Sequence, residues 1–318
     1  MFLARGTAIL AVTMLLMACA GPAATPAPSA APTEAPMSEA PMSEAPMSEA
    51  PMTVACDNLP AEAAGDLLET ICERGKIVIS TDADYAPQSS VTPSGDFEGF
   101  DIDVGEEIAR RLGVEAEWSA QIWDTIIAGS WSGRWDMSVG SITVTPDREQ
   151  LFDFTQGYYY APAMVAVLEG SGLTSVDDVA GEKACVGEDT TYLYWIEGTL
   201  DLGQPGIIVR DAPEGLTAHT LETDANCAEA MRAGQTEVGQ VFITAEAVID
   251  EAIAADTPIE KLGEPIFYES LSVAFDKNGP ERAALLSVVD DIVGAMHEDG
   301  TMTALSMKWY DKDLTKAQ

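Results

Sequence analysis

Positively charged residues are scarce in this chain of 318 residues. It has 16 Lys and Arg against 53 Asp and Glu, which gives a formal net charge of -37 at pH 7 and a pI of about 4.1. Proteins bind nucleic acids mainly through basic groups that neutralise phosphates, so this composition excludes nucleic acid as an expected partner. The acidity favours solubility. It does not by itself indicate a cationic ligand, because a solvated acidic surface gives the same count.

Histidine is also scarce, and the Cys-x-x-Cys motif is missing. The chain has two histidines, His219 and His297, and none of its five cysteines has a second cysteine at the spacing of a zinc or redox motif. Zinc sites in proteins are built from closely spaced Cys and His ligands. We therefore predict no metal site, and we expect no cofactor.

No apolar run reaches the length of about 20 residues that a membrane-spanning helix needs. The apolar segment 1–18 has Arg5 as its only charge and is followed directly by Cys19, in the sequence Leu-Met-Ala-Cys. It resembles a bacterial lipoprotein signal peptide, with a basic start, an apolar core and a small residue before the cysteine. The resemblance implies cleavage before Cys19 and a lipid on its thiol, which would anchor the protein to a membrane. A single membrane-spanning anchor is the alternative.

Residues 19–55 comprise Cys19 and a linker rich in Pro, Ala, Met and Glu. The unit Glu-Ala-Pro-Met-Ser recurs from Glu34, and its last copy ends at Thr53. The linker has no aromatic or β-branched run that could form a core, and its frequent prolines favour an extended, semi-stiff spacer. The methionines follow the repeat and have no His or Cys among them. We therefore interpret the segment as a spacer and not as a metal-binding tract.

Four cysteines remain besides Cys19, an even number that indicates disulfides in an exported chain. Three pairings are open. We favour Cys56–Cys72, which would join the first predicted helix to the segment before it. The other favoured pair is Cys185–Cys227, which would join a strand to a helix in the second half of the chain.

Short apolar runs alternate with helical patterns along the rest of the chain. Strands are predicted at 76–81, 114–118, 137–139, 164–168, 183–186, 207–210, 238–243 and 270–275. The alternation of strands with helices is typical of an α/β fold with a parallel sheet, and the length allows two domains. In such sheets ligands bind at the carboxyl ends of the strands.

Residues 133–160 contain the first candidate binding site. The predicted strand 137–139 is followed by Ser141 and Thr143, and Arg148 comes a few residues later. Free N–H groups at a strand end, two hydroxyls and a guanidinium form a good carboxylate receptor, because the planar fork of arginine matches both oxygens. The alternative is that Arg148 is a surface residue between acidic neighbours.

Three further residues are expected at the same edge of the sheet: Asp82, Tyr85 and Trp123. Thr190 and Thr191 stand at the start of a predicted helix. Free N–H groups at a helix start bind anions, although an ordinary helix cap has the same sequence pattern.

A series of short motifs follows in order from about residue 76. They are Thr81-Asp82-x-x-Tyr85-Ala86-Pro87, Gly99-Phe100-Asp101-Ile102-Asp103-Val104, Trp123-Asp124, Trp135-Asp136, Ile142-Thr143-Val144-Thr145-Pro146-Asp147-Arg148, Phe152-Asp153-Phe154, Tyr158-Tyr159, Gly187-x-x-Thr190-Thr191-Tyr192, Asp299-Gly300-Thr301 and Trp309-Tyr310. Each motif is weak alone, but the ordered set is specific. It resembles the polar amino acid-binding family of solute-binding proteins that serve ABC transporters (family 3, type II periplasmic binding proteins).

The resemblance implies a two-lobed α/β fold, in which each lobe is a mainly parallel sheet with flanking helices. Two hinge strands, near 160–165 and 265–271, would join the lobes, which close on a ligand between them. Lobe 1 would comprise 56–162 and 268–318, and lobe 2 would comprise 163–267.

The same resemblance implies capture of an amino acid, or a related small polar carboxylate, and its delivery to an ABC permease with its ATPase. We expect a monomer at the extracytoplasmic face of the cell membrane, held there by the lipid anchor.

The resemblance also implies roles for individual residues. Arg148 would bind the ligand α-carboxylate with both arms of its guanidinium. The backbone N–H groups of Thr143 and Thr191 would share that carboxylate. The carbonyl of Ser141 and the hydroxyl of Thr143 would accept the α-ammonium group.

Tyr85 and Trp123 would sandwich the ligand side chain between two aromatic faces, which suit an aliphatic stem or a cation. Asp82 stands where binders of basic amino acids have a carboxylate for the distal charge. The alternative for the two aromatic residues is packing in the core.

One position departs from the family pattern. The family has an aspartate in lobe 2 that pairs with the α-ammonium group, and the matching position here is Phe242. A buried ammonium without a counter-charge is unfavourable. Glu246, the nearest acid downstream, or a shifted alignment would supply the charge, or else the ligand is not a standard α-amino acid.

Two other functions fit the same fold. A lyase such as a cyclohexadienyl dehydratase would need a positioned acid or base beside the ligand. Both histidines lie outside the matched pocket loops, so we predict no catalytic residue and no enzyme activity. A sensory subunit is the other alternative, and it would have to act through a partner, because no signalling module follows the predicted lobes.

Overall fold

The structure, a computed structural model, describes residues 55–317. The predicted signal peptide, the lipidated Cys19 and nearly all of the linker lie outside the described residues. Residues 55–317 form a large sheet of eight strands, a small sheet of three, and helices that flank the large sheet. No helix among them is both long and apolar enough to cross a membrane.

The helices and strands of the described residues alternate along most of the chain. The helices are α1 (Leu67–Arg74), α2 (Phe100–Leu112), α3 (Trp123–Ile127), α4 (Thr191–Glu197), α5 (Asp224–Arg232), α6 (Glu246–Ala254), α7 (Ala283–Glu298) and α8 (Thr301–Tyr310). The strands are β1 (Lys76–Thr81), β2 (Asp84–Tyr85), β3 (Ser89–Val91), β4 (Phe97–Glu98), β5 (Glu115–Ala120), β6 (Met137–Thr143), β7 (Phe152–Leu168), β8 (Lys183–Gly187), β9 (Thr217–Leu221), β10 (Val241–Ala245) and β11 (Ile259–Asp276).

The helix α2 shows how the sequence specifies its elements. Phe100, Val104, Ile108 and Leu112 recur every four residues, so they lie on one face, and all four are buried. Gly113 ends the helix in the left-handed conformation, at a φ of 86°, which only glycine adopts without strain. The helix begins at Phe100, two residues before Ile102, where its apolar spacing predicts the start.

The large sheet has the strand order β5-β1-β6-β11-β7-β10-β8-β9. Two groups within it are parallel: β5, β1 and β6 form one, and β10, β8 and β9 form the other. The strands β7 and β11 lie between these groups and are antiparallel to their neighbours. The sheet is therefore mixed, with parallel pairing inside each group.

The two central strands, β7 and β11, are much longer than predicted. They have 17 and 18 residues and pair from Ile259 opposite Leu168 to Asp276 opposite Phe152. The predicted strands 164–168 and 270–275 are parts of them. Glycine and proline within each strand hid the continuity, because both residues usually interrupt strands. In β11, the glycine and the proline lie where the register of the strand pairing shifts, between Leu262 and Phe267.

Other differences are local. The predicted strand 207–210 is wrong: Ile208 makes only an isolated bridge to Phe267. The edge position is taken by β9, whose polar sequence gives no strand pattern. The strand predicted at 137–139 continues to Thr143, and all seven residues of β6 are buried. The residues that follow it are thus fixed to a rigid sheet.

Both favoured disulfides are present. Cys56 lies in a short 3-10 turn and bonds to Cys72 of α1, with 5.3 Å between the Cα atoms. Cys185 of β8 bonds to Cys227 of α5, with 5.7 Å between the Cα atoms. The second bond fixes α5, whose first turn reaches the candidate site.

Candidate functional site

The candidate site is a cleft beside the central strands, with an empty space of about 510 Å³. It lies at the carboxyl ends of β1, β6 and β8 and at the starts of α3, α4 and α5, as expected for an α/β sheet. Seven of the eight predicted ligand-binding residues line it: Asp82, Tyr85, Trp123, Ser141, Thr143, Arg148 and Thr191. The structure therefore brings together residues that are up to 109 positions apart in the chain (191 minus 82).

Arg148 lies in a 3-10 turn after β6 and is 7% exposed. Its guanidinium donates from Nη1 to the carbonyl of Thr143 at 3.1 Å and from Nη2 to the carbonyl of Asp189 at 3.2 Å. The ring of Trp123 lies below it, with 5.1 Å between Cζ and the ring centroid. Burial lowers the pKa of Arg148 from its ordinary value, and the negative charge of Glu269 opposes that shift.

The salt bridges of residues 55–317 include none to Arg148. A guanidinium has five N–H donors, and the two carbonyls accept only part of them. Arg148 can therefore receive a carboxylate from within the cleft.

Ser141 adopts a left-handed conformation, with a φ of 54°, that is unusual for a residue with a side chain. A buried network holds it there. Its N–H donates to the hydroxyl of Tyr158 at 2.9 Å, and its own hydroxyl donates to Asp101 at 2.8 Å and contacts Tyr159 at 2.7 Å. Burial raises the pKa of Asp101 to about 7. The Ser141 side chain is thus committed to the protein interior.

Aromatic residues close the cleft from two sides. The hydroxyls of Tyr85 and Tyr192 lie 3.1 Å apart, and the indole N–H of Trp123 donates to the carbonyl of Asp189 at 3.3 Å. Tyr85 lies on β2, just after β1, whereas Tyr192 lies on α4, just after β8. These contacts therefore join segments that follow the two different parallel groups of the large sheet. Burial raises the pKa of both tyrosines well above its ordinary value, and both stay neutral.

Carboxylates outnumber the single arginine in the cleft. Five acids line it: Asp82, Asp84, Glu222, Asp224 and Glu269. Burial raises the pKa of Asp82 to about 6 and that of Asp224 to about 7, and neighbouring acids add to both shifts. No group of three or more His, Cys, Asp or Glu in the described chain is arranged to hold a metal ion.

Glu246, the eighth predicted residue, does not line the cleft. It begins α6 and pairs with Lys261 at 2.8 Å and with Lys312 at 2.9 Å. Phe242 is fully buried within β10. Neither of these two positions therefore places an acid in the cleft, and a role for Glu246 at the ligand ammonium stays a prediction.

Sequence reasoning missed Glu269, Asp224 and Tyr192 as cleft residues. Glu269 stands alone as a charge in the apolar run 265–275, which could have marked it as a buried functional group. Asp224 follows the N-cap Thr223 and has the pattern of an ordinary first helical turn. Tyr192 belongs to the motif Gly187-x-x-Thr190-Thr191-Tyr192, but its sequence position predicts no role in the site.

The fold and the cleft define a class of two-lobed α/β proteins that bind a small polar ligand beside two long connecting strands. The chain belongs to the bacterial extracellular solute-binding proteins, family 3, whose model matches residues 77–312. The predicted fold class is thereby confirmed.

Two similar curated proteins come from Escherichia coli (strain K12). The L-cystine-binding protein TcyJ is 27% identical over 252 residues, which cover 79% of this chain and 88% of TcyJ. The lysine/arginine/ornithine-binding periplasmic protein is 27% identical over 235 residues, which cover 73% of this chain and 86% of that protein.

Two solved structures are also similar. The ancestral amino acid-binding protein AncCDT-1, a precursor of cyclohexadienyl dehydratase, has a TM-score of 0.65 and 26% identity, and the match covers 77% of this chain and 100% of that one. An ancestral arginine-binding protein bound to arginine has a TM-score of 0.63 and 23% identity, over 74% of this chain and 99% of that one. The likeness to the ancestral arginine-binding protein shows a shared fold alone.

Proposed function

We propose that this chain is the solute-binding component of an ABC importer and that it takes an α-amino acid with a cationic side chain. The observation that carries the proposal is Arg148, a buried guanidinium that faces the cleft and has no salt bridge to a carboxylate within residues 55–317. The α-carboxylate of an amino acid would complete its hydrogen bonds. The backbone N–H groups of Thr143 and Thr191 and the hydroxyl of Thr143 would lie beside that end of the ligand.

The charge of the cleft supports a cationic side chain. The negative charges of Glu269 and Asp82 both raise the free energy of ionising Asp224. Glu222 adds to the shift at Asp82. A distal ammonium or guanidinium among these groups would replace their mutual repulsion with attraction. Tyr85 and Trp123 would enclose the aliphatic stem of the same side chain.

The proposed lobes are 56–162 with 268–318, and 163–267. Under these boundaries Tyr85 and Trp123 belong to lobe 1, and Tyr192 and Asp189 belong to lobe 2. Their contacts would then close the cleft between lobes. A ligand that touches both lobes stabilises the closed form because its affinity for that form is higher.

We further propose that Cys19 carries a lipid and that residues 19–55 hold a monomeric binding domain away from the membrane. The ligand would pass from there to a permease that is driven by its ATPase. Relatives named as binding proteins for L-cystine and for lysine, arginine and ornithine support an amino acid as the ligand.

The experiment compares Arg148→Ala with the wild-type protein in isothermal titration calorimetry against L-arginine, L-lysine and L-ornithine. Loss of a buried charge partner should weaken binding about 30-fold or more. The matched control is Arg232→Ala, at an exposed arginine that does not line the cleft, and it should change the affinity by less than about 2-fold. Unchanged affinity in Arg148→Ala would refute the carboxylate assignment.

An enzyme on the same fold is the second candidate, and the buried acids of the cleft together with the likeness to AncCDT-1 favour testing it. Elimination of water from a cyclohexadienyl substrate would need one of these acids as a proton donor. Incubation with prephenate-like compounds followed by product analysis distinguishes the two. A binding protein leaves them unchanged, whereas turnover would contradict the proposal.

A further inference from the structure

We propose that Glu269 of β11 binds the α-ammonium group of the ligand and so determines selectivity for α-amino acids. The negative charge that pairs with the ammonium group would come from the central strand β11. It would not come from the lobe 2 position at which the family has an aspartate and this chain has Phe242. This inference rests on the proposed function, because it names the partner for one end of the same ligand.

Glu269 is 3% exposed and lines the cleft. Its carboxylate accepts hydrogen bonds from three hydroxyls: Thr143 at 2.6 Å, Thr191 at 2.5 Å and Tyr192 at 2.7 Å. A carboxylate has about four lone-pair sites. Three donors therefore orient the group and leave room for one more, which a ligand N–H can fill.

Glu269 has no cationic partner among the described residues. The salt bridges between residues 55 and 317 include none to it, although its charge acts on Arg148 from a distance. A buried carboxylate without a counter-charge is unfavourable, and neutral hydroxyls compensate it only in part. A ligand cation would supply what is missing.

Thr143 connects Glu269 to the carboxylate receptor. Its carbonyl accepts from Arg148 at 3.1 Å, and its hydroxyl donates to Glu269 at 2.6 Å. The two opposite charges therefore flank a single residue. The carboxylate and ammonium of an α-amino acid are attached to one carbon atom, so a zwitterion can face both groups at once, with its carboxylate at Arg148 and its ammonium at Glu269.

Asp224 is less suited to this role. Its two oxygens accept from the N–H of Gly187 at 2.8 Å and from the hydroxyl of Thr244 at 2.6 Å. It shares no hydrogen-bond donor with Glu269 or with the residues around Arg148. The charges of Glu269 and Asp82 both raise its pKa. We therefore assign Asp224 to the distal end of the ligand and Glu269 to the α-ammonium end.

The test pairs an isosteric variant with ligands that lack one group. Glu269→Gln and the wild-type protein are titrated with L-arginine and 5-guanidinopentanoate, L-lysine and 6-aminohexanoate, and L-ornithine and 5-aminopentanoate. The second member of each pair lacks only the α-ammonium group. The variant should weaken binding of the α-amino acid about 30-fold or more and change that of its partner by less than about 3-fold. The control is Glu264→Gln, an exposed glutamate of the same strand, which should change neither.

The outcomes separate the two proposals. If the wild-type protein binds none of the three amino acids, the proposed function is wrong, and the assignment of Glu269 is refuted with it. If the wild type binds and Glu269→Gln weakens both members of a pair equally, or neither, the assignment of Glu269 is wrong while the proposed function stands. If circular dichroism shows that the variant does not fold, the assignment is tested on the ligand preference of the wild-type protein alone. It must prefer the α-amino acid over its partner about 30-fold or more, and equal affinities refute the assignment.

Discussion

The affinity of this protein for a cationic amino acid should rise steeply between pH 5 and pH 8. Burial in the cleft raises the pKa of Asp224 to about 7 and that of Asp82 to about 6. Desolvation is the main cause of both shifts, because an ionised carboxylate loses more hydration on burial than a neutral one. A bound cation favours the ionised forms and lowers both pKa values. Binding therefore releases protons. The affinity falls at any pH at which the two carboxyl groups are protonated before the ligand binds.

The magnitude follows from the ionised fractions. At pH 5 a carboxyl group with a pKa of about 7 is about 1% ionised, and one with a pKa of about 6 is about 10% ionised. Independent groups would lower the affinity about a thousandfold relative to pH 8. The two acids interact, so their protons leave in shared steps and the apparent slope is shallower. We expect a loss of about 30-fold or more from pH 8 to pH 5.

The stability of the empty protein should change in the opposite direction. Burial raises the pKa of Asp82 to about 6 and those of Asp101 and Asp224 to about 7 in the folded protein, against an ordinary value of 3.8. Between pH 4 and pH 7, roughly, the folded form holds protons that the unfolded chain has released. The free energy of unfolding therefore falls as pH rises, and the ligand-free Tm should be higher at pH 5 than at pH 8.

Calorimetric titration at four pH values, in buffers of different ionisation enthalpy, counts the protons released on binding. Asp224→Asn should remove about one proton from that count near pH 6. Asp211→Asn, at an exposed position outside the cleft, is the matched control and should leave the count unchanged. An affinity that is independent of pH, or that falls as pH rises, would refute the reasoning.

Two further predictions concern the scaffold. Replacing Cys185 and Cys227 by Ser opens a link across a separation of 42 residues and should lower the free energy of unfolding by about 2–4 kcal/mol in a urea titration, whereas an unchanged midpoint would contradict the disulfide's role. In Gly99→Ala, the added Cβ would lie 2.1 Å from the carbonyl oxygen of Gln88 at a φ of 138°, so a loss of about 3 kcal/mol is expected. Gly95→Ala, with no atom within 4 Å, should lose only about 1 kcal/mol, and equal losses would contradict the clash.

The α/β class and most of the cleft could be predicted because their signals are local. The strand β1 coincides with its predicted bounds, and the hydroxyl-rich segment after Val139 predicted both Ser141 and Thr143. The long strands could not be predicted from local patterns. Their pairing depends on contacts such as Ser270 with Tyr160, which are 110 positions apart (270 minus 160).

Glu246 was chosen as the missing acid because it is the nearest one in sequence after Phe242. In the folded chain the helix α6 turns it toward Lys261 and Lys312. Glu269 is 27 residues from Phe242 in the sequence (269 minus 242), but β11 brings it into the cleft. Distance along the chain is therefore a poor guide to which acids line the cleft. A single glutamate inside an apolar strand was the better signal, because an apolar run seldom contains an acid without a function.

The position of Glu269 also bears on how a ligand would close the cleft. Its carboxylate accepts from Thr143 at the end of β6 and from Thr191 and Tyr192 on α4, which belong to different lobes under the proposed boundaries. The carboxylate of Glu269 thus accepts hydrogen bonds from hydroxyls of both proposed lobes, and no salt bridge of the described residues reaches it. A ligand ammonium would be drawn to the group at which the lobes meet, and its charge would offset a desolvation penalty that closure imposes on Glu269. Binding energy at Glu269 would therefore stabilise the closed form more than the open form. A ligand needs such a difference in affinity to shift the equilibrium between open and closed states.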